Sequence, residues 1–62
     1  MLRIAELRKA RGMSQRELAA ALGVSCVAVA KWELGVNFPS TAKLPDIARV
    51  LGVDVGALFK EA

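Results

Sequence analysis

The sequence predicts an all-α fold of five short helices, and three observations support that prediction. Glycines divide the chain of 62 residues into segments, and four of them stand where a left-handed residue would end a helix. A serine or aspartate that can cap the next helix follows each of these glycines. Strand signals are weak, because the β-branched cluster at 24–29 is interrupted by small and polar residues. The glycines are Gly12, Gly23, Gly35 and Gly52, and the candidate caps are Ser14, Ser25, Ser40 and Asp54.

The apolar residues of each segment recur at the spacing of one helix face. The five predicted helices span 2–11, 15–22, 26–34, 41–51 and 55–61. Helices this short are marginal in water, so they must pack on one another. A chain of this length has room for one core, and we expect a single domain over residues 1–62. The predicted core consists of Ile4, Leu7, Met13, Leu18, Ala19, Leu22, Val24, Val29, Trp32, Leu44, Ile47, Ala48, Leu51, Val53, Leu58 and Phe59.

A proline and a glycine argue against the predicted bounds of the last two helices. Pro45 would lie in the second turn of a helix that Ser40 caps, where it lacks an N–H and restricts Leu44. The fourth helix is therefore either kinked or begins near Leu44. Gly56 lies in the first turn of the fifth helix and weakens it by about 1 kcal/mol relative to alanine. The fifth helix is the least secure of the five.

The residue inventory excludes most catalytic chemistry. The chain has no histidine and no tyrosine, and its one cysteine, Cys26, has no histidine to activate it. A zinc site requires about four nitrogen or sulfur ligands, which this chain cannot supply alone. A single cysteine also cannot form an internal disulfide. We therefore predict that the protein is no enzyme and has no site for a metal, a cofactor or a small-molecule ligand.

Charge and hydropathy indicate the compartment and the kind of partner. The formal net charge of +3 favours an anionic partner. No apolar run approaches the roughly 20 residues that span a bilayer, and residues 1–11 lack the apolar region of a signal peptide. The sequence thus predicts a cytoplasmic protein without a membrane partner.

Residues 15–34 have the pattern of a helix-turn-helix. Ser14 and Glu17 have the spacing of a capping box at the start of the second predicted helix. Ala19 leaves space for a close helix crossing, and Gly23 supplies the left-handed residue of the turn. Two short helices joined by a glycine-containing turn of three to four residues are typical of this DNA-binding unit. The alternative is a generic helical hairpin in a small bundle.

With these residues the chain resembles the phage repressor and Cro-type helix-turn-helix family of bacterial and phage regulators. The matching text is RIAELRKARGMSQRELAAALGVS, then VAKWELG, PS, LPDIARVLGV and LF, which covers nearly all of the chain. The resemblance implies a lambda-repressor-like domain whose second helix lies across the DNA backbone and whose third helix enters the major groove. It also implies a nucleoid-associated transcriptional repressor that binds a pseudo-palindromic operator in double-stranded DNA as a homodimer.

The same resemblance assigns roles to individual residues. Gln15 is expected to donate to a phosphate from the start of the second helix, and Lys31 to reach a guanine edge or a phosphate. Arg8 and Glu33 are expected to form an internal ion pair that holds the first helix against the third. The expected DNA-contacting residues are Ser14, Gln15, Arg16, Ser25, Cys26, Val27, Ala28, Lys31 and Asn37.

The chain departs from the family pattern in two places. Residues 26–28 are apolar where relatives usually carry polar side chains, so we expect contacts with thymine methyl groups and a preference for A·T pairs. Residues 36–38 lack the basic side chains that relatives often carry, which leaves Asn37 as the main polar group there. Cys26 is either a small apolar contact or an exposed thiol that senses oxidants.

A second class of function is a protein-interaction module or an antitoxin-like component. It would use the apolar face of the third helix, which carries Cys26, Val27, Ala28 and Ala30. A steep loss of duplex binding with salt would favour DNA regulation, whereas salt-independent binding to a protein would favour the second class. The expected dimer surface is the fifth helix with its preceding loop, and its candidate residues are Val55, Phe59 and Phe38.

Overall fold

The computed structural model describes residues 2–59, within which the chain forms four α-helices and two short 3₁₀ helices. The all-α prediction is confirmed, since these residues contain no β-strand and one isolated antiparallel bridge. The α-helices are α1, Ile4–Ala10; α2, Gln15–Leu22; α3, Cys26–Leu34; and α4, Leu44–Leu51. The 3₁₀ helices span Thr41–Lys43 and Val55–Leu58.

The bounds predicted for the second and third helices are confirmed, because local side chains set both ends. Ser14 Oγ accepts from Glu17 N at 3.0 Å, and Ser14 N donates to Glu17 Oε1 at 2.8 Å, which completes the capping box. Ser25 Oγ accepts from Ala28 N at 3.1 Å at the start of α3. Gly23 ends α2 with a φ of 69°, a left-handed conformation that glycine adopts without steric cost.

The fourth helix begins later than the range 41–51 predicts. Residues 41–43 form a 3₁₀ helix instead, in which Lys43 N donates to Ser40 O at 2.9 Å. The α-helix begins at Leu44, so Pro45 lies at its second position, where an N–H has no helical acceptor. The Ser40 hydroxyl makes no capping hydrogen bond. Of the two possibilities left by Pro45, the start at Leu44 is correct.

At the two ends of the described chain, the structure differs from the first and fifth predicted helices. Leu2 and Arg3 are not helical, because Leu2 pairs with Phe59 in the isolated bridge and Arg3 N donates to Leu58 O at 2.6 Å. Of the α-helix predicted over 55–61, the described residues form a 3₁₀ turn at Val55–Leu58, which contains Gly56, and an extended Phe59. Asp54 precedes this turn without a side-chain cap. Residues 60 and 61 lie outside the described range.

Phe59 is wrong as a core residue. Its backbone is extended, with φ −91° and ψ 137°, and the residue is 43% exposed beside Leu2. Leu2 is buried in its place and joins the core, which no helical periodicity could have indicated. Leu7, Met13, Val24 and Val53 are partly buried against that core.

One hydrophobic core lies among the helices. The buried apolar residues are Leu2, Ile4, Leu18, Ala19, Leu22, Val29, Trp32, Leu44, Ile47, Ala48, Leu51 and Leu58. α2 packs against both α3 and α4, and α1 packs against α3. This packing holds α3 against two helices and leaves its remaining side to solvent. No helix within the described range has the length and apolar character that crossing a membrane requires.

Candidate nucleic-acid interface

The turn between α2 and α3 sets the position of α3. Gly23 N donates to Ala20 O at 3.3 Å and Val24 N donates to Ala19 O at 3.0 Å, so the turn itself satisfies two of the last four carbonyls of α2. Ala19 is buried in the middle of α2, and α2 and α3 pack directly on each other. The small side chain and the hydrogen-bonded turn together hold the two helices in a fixed relation.

α3 presents one buried and one exposed face. Val29 and Trp32 point into the core, whereas Cys26, Val27 and Lys31 are exposed, Val27 to 62%. Val27 and Lys31 are four residues apart and therefore lie on the same face of the helix. The exposed face offers methyl groups, one thiol and one ammonium, which suits close approach to an anionic, partly apolar surface.

The remaining predicted contact residues differ in accessibility. Ala28 is partly buried against the core, so it is less accessible than Cys26 and Val27. Arg16 is exposed at the second position of α2, and Asn37 is exposed in the loop after α3. The exposed hydroxyls of Ser14 and Ser25 accept cap hydrogen bonds through Oγ, and each retains its O–H for an outside acceptor. The structure brings residues of the α2 start and the α3 start to solvent together with the turn between them.

The start of α2 has the features of an anion-binding helix end. The capping box satisfies the backbone N–H groups of Ser14 and Glu17, while those of Gln15 and Arg16 have no acceptor within residues 2–59. Ser14 lowers the pKa of Glu17 through the hydrogen bond that its backbone N–H donates to the carboxylate. Free N–H groups and the positive end of the helix dipole favour a phosphate at this position.

Arg8 and Glu33 form an ion pair that joins α1 to α3. Arg8 Nε donates to Glu33 Oε2 at 2.7 Å and Arg8 Nη2 donates to Glu33 Oε1 at 3.2 Å, a bidentate arrangement. Arg8 Nη1 also donates to Met13 O at 2.7 Å, so the same guanidinium holds the chain just before α2. The hydrogen bond to Glu33 raises the pKa of Arg8 above its ordinary value, although burial acts in the opposite direction.

Gln15 is bound to the same carboxylate, which sequence reasoning missed. Its Nε2 donates to Glu33 Oε1 at 2.8 Å, across 18 positions of sequence. Burial alone would raise the pKa of Glu33, but the hydrogen bonds from Arg8 and Gln15 and the charges of Arg8 and Lys9 hold it below its ordinary value. The Glu33 carboxylate is therefore ionised at neutral pH. No local pattern in the sequence could have indicated this bond, because it depends on how α2 crosses α3.

Several basic side chains are available to an anionic partner. Within the described range, Arg3 pairs with Glu6 and Arg49 with Asp46, whereas five cations make no ion pair. These five are Lys9, Arg11, Arg16, Lys31 and Lys43. In the same part of the chain, no three potential metal-ligating side chains stand together.

An apolar patch follows α3. Leu34, Val36 and Phe38 are among the most exposed large apolar residues of the described chain. They border an open groove of about 460 Å³ that Leu2 and Trp32 also line. Phe59 is outside this lining, although its backbone pairs with that of Leu2. Of the three predicted dimer candidates, Phe38 lines this groove, while Phe59 and Val55 are exposed outside its lining.

Comparison with known proteins identifies the family. A family model described as helix-turn-helix matches residues 4–58. Two relatives, each named an uncharacterized HTH-type transcriptional regulator, come from Sinorhizobium medicae (strain WSM419) and Rhizobium meliloti (strain 1021); each is 35% identical over 60 residues. The alignment covers 97% of this chain and 43% of each relative, so the chain spans less than half their length. Because the family match covers all four α-helices, the chain belongs to the helix-turn-helix family.

Proposed function

We propose that the chain is the DNA-binding part of a transcriptional regulator and that α3 enters the major groove of double-stranded DNA. The observation that carries the proposal is the arrangement of α3, buried on one face and exposed on the face of Val27 and Lys31, beside an α2 start with free N–H groups. Membership of the helix-turn-helix family and the names of two relatives support the same function.

In this proposal, recognition of the DNA sequence depends on short side chains of α3. A major groove about 12 Å wide admits an α-helix, and small side chains let the helix backbone approach the base edges closely. Val27 supplies methyl contacts to thymine, and Lys31 donates to a guanine edge or a phosphate. The exposed face has no amide or guanidinium group for a bidentate contact within α3, so selectivity is modest and favours A·T pairs.

Phosphate contacts in this proposal come from the start of α2 and from flanking groups. The free N–H groups of Gln15 and Arg16 meet a phosphate, and the exposed Arg16 guanidinium adds charge. The hydroxyls of Ser14 and Ser25 and the Asn37 amide supply further donors. Each cationic phosphate contact contributes about −0.9 to the slope of log affinity against log salt.

We further propose that the protein is a repressor and binds its operator as a homodimer. One domain of this size offers few base contacts, and two copies on a pseudo-palindrome place their half-sites about 34–36 Å apart. The exposed patch of Leu34, Val36 and Phe38 next to the groove supports an interface with a second copy.

That patch also favours the second candidate, a protein-interaction module or an antitoxin-like component. Exposed apolar side chains around an open groove are typical of protein-binding surfaces. The two candidates differ in their response to salt, because apolar contacts with a protein lack the counterion release that accompanies phosphate binding.

Selection from a random pool of duplex DNA, at low and near-physiological salt, tests the proposal. We expect enrichment of a two-fold symmetric motif with half-sites about one helical turn apart. On the selected site, Lys31→Met weakens binding about fivefold or more if Lys31 reads guanine, since such a contact gives about 1–3 kcal/mol of discrimination. Lys9→Met removes the same charge from α1 and serves as the control, with at most a threefold loss. Failure to enrich any motif at either salt, together with salt-independent binding of a protein, would establish the second candidate instead.

A further inference from the structure

Three helices meet at the carboxylate of Glu33. Arg8 of α1 donates two hydrogen bonds to it, and Gln15 at the start of α2 donates a third, at 2.8 Å to Oε1. The Glu33 side chain is 8% exposed and the Arg8 side chain is 10% exposed. The carboxylate thus lies behind the surface formed by the α2 start and α3.

The hydrogen bond occupies one half of the Gln15 amide. Nε2 carries two N–H donors, of which one points to Glu33 and the other has no acceptor within residues 2–59. Gln15 is also the first residue of α2, where its backbone N–H is free. A glutamine side chain loses much rotational freedom when it is held, and here folding removes that freedom before any partner arrives.

Arg8 makes this arrangement compatible with an anionic partner. An ionised carboxylate close to a phosphate would repel it, but the bidentate guanidinium neutralises the Glu33 charge. Arg8 Nη1 holds Met13 O as well, two residues before Gln15 in the sequence. The backbone that leads into α2 and the first side chain of α2 are therefore held by the same pair.

We infer that Glu33 is a positioning residue for DNA binding: it holds the Gln15 amide at the α2 start with its second N–H directed to a phosphate oxygen. Glu33 itself does not contact DNA. This inference rests on the proposed function, which gives the phosphate its place. If it is correct, removing the Glu33 carboxylate weakens DNA binding only through Gln15.

A double-mutant cycle on duplex affinity tests that dependence. Glu33→Gln, Gln15→Ala and the double variant are measured on the selected duplex at low temperature, after circular dichroism has been used to check that each is folded. Glu6→Gln is the control, because it makes the same charge change at an exposed position of α1. Relative to that control, we expect each single variant to weaken binding about three- to tenfold, the effect of one hydrogen bond, and the double variant to lose no more than Gln15→Ala alone.

A measurement on the unmodified protein keeps the test independent of variant folding. Relaxation of the side-chain amides by NMR compares Gln15 with Asn37, which is exposed in the loop after α3. We expect the side-chain amide of Gln15 to be as rigid as the backbone, with an order parameter of about 0.85. The order parameter of the Asn37 side-chain amide should be below about 0.6. A Gln15 amide as mobile as that of Asn37 overturns the inference, whether or not Glu33→Gln folds.

The outcomes separate this inference from the proposed function. If the protein binds duplex DNA and the two single losses multiply in the double variant, Glu33 acts by another route and only this inference is wrong. If the unmodified protein binds no duplex, the proposed function fails and the positioning role fails with it.

Discussion

Replacing Arg8 by methionine should remove much of the stability of the fold. The substitution leaves the Glu33 carboxylate buried with the Gln15 amide as its one remaining hydrogen-bond donor, and it removes the donor to Met13 O. Removing one partner of a buried ion pair costs about 3–5 kcal/mol. A domain of this size has a total stability of about 3–9 kcal/mol, so about a third or more of it is lost. The melting temperature should fall by about 12 °C or more.

The assay is urea denaturation at pH 7, followed by far-UV circular dichroism. Arg49→Met is the matched control, because Arg49 pairs with Asp46 at 3.0 Å on an exposed face and such pairs contribute about 0–1 kcal/mol. Adding Glu33→Leu to Arg8→Met should recover part of the loss, since no buried charge remains. Equal losses for Arg8→Met and Arg49→Met, or a loss below about 1 kcal/mol for Arg8→Met, would refute the structural role of the pair.

Three further predictions concern stability. The folded-state pKa of Glu33 is lowered, so its contribution to the free energy of unfolding is complete above its unfolded pKa of about 4.3 and is lost as pH falls through the folded pKa. Urea midpoints should therefore be constant from about pH 7 to 5 and fall below about pH 4. An unchanged midpoint at about pH 3 would contradict this prediction. Gly52→Ala and Gly23→Ala should each cost about 1–2 kcal/mol, the backbone strain of a left-handed alanine, because a Cβ at Gly23 meets nothing and a Cβ at Gly52 meets only the far end of the exposed Arg11 side chain, which moves aside. In the Gly52→Ala background, adding Arg11→Ala should therefore recover no stability, and a recovery in urea denaturation would show that the guanidinium does not move aside. Ile47→Ala should destabilise the fold by about 2–5 kcal/mol and Ile47→Val by about 0.5–1.5 kcal/mol, because Ile47 is fully buried. A loss of less than about 1 kcal/mol for Ile47→Ala in urea denaturation would contradict its place in the core.

The helix-turn-helix was predictable because local chemistry defines it. The hydroxyl and carboxylate of the capping box lie three residues apart, and Gly23 acts on the turn in which it stands. Each signal therefore acts within one turn of helix, so sequence spacing alone gives the bounds of α2 and α3. Pro45 acts in the same local way, and a start near Leu44 was one of the two possibilities that it left open.

The remaining features depend on contacts between distant positions. Leu2 pairs with Phe59 across nearly the whole chain, and both residues are therefore extended where the sequence predicted helix. The bond from Gln15 to Glu33 requires the crossing of α2 and α3, which no periodicity encodes. From the sequence, Phe38 was only an apolar residue with no assigned place in the core. The fold shows that it lines the same groove as Leu2.

An NMR titration of the ¹⁵N-labelled protein with duplex DNA tests the central claim most directly. If α3 enters the major groove, amide shifts should concentrate at residues 14–16 and 25–31, with Asn37 beside them, and should diminish as salt rises. The groove residues from 34 to 36 should change little at low protein concentration. An absence of shifts at low salt, or shifts confined to the apolar groove, would contradict DNA binding through α3.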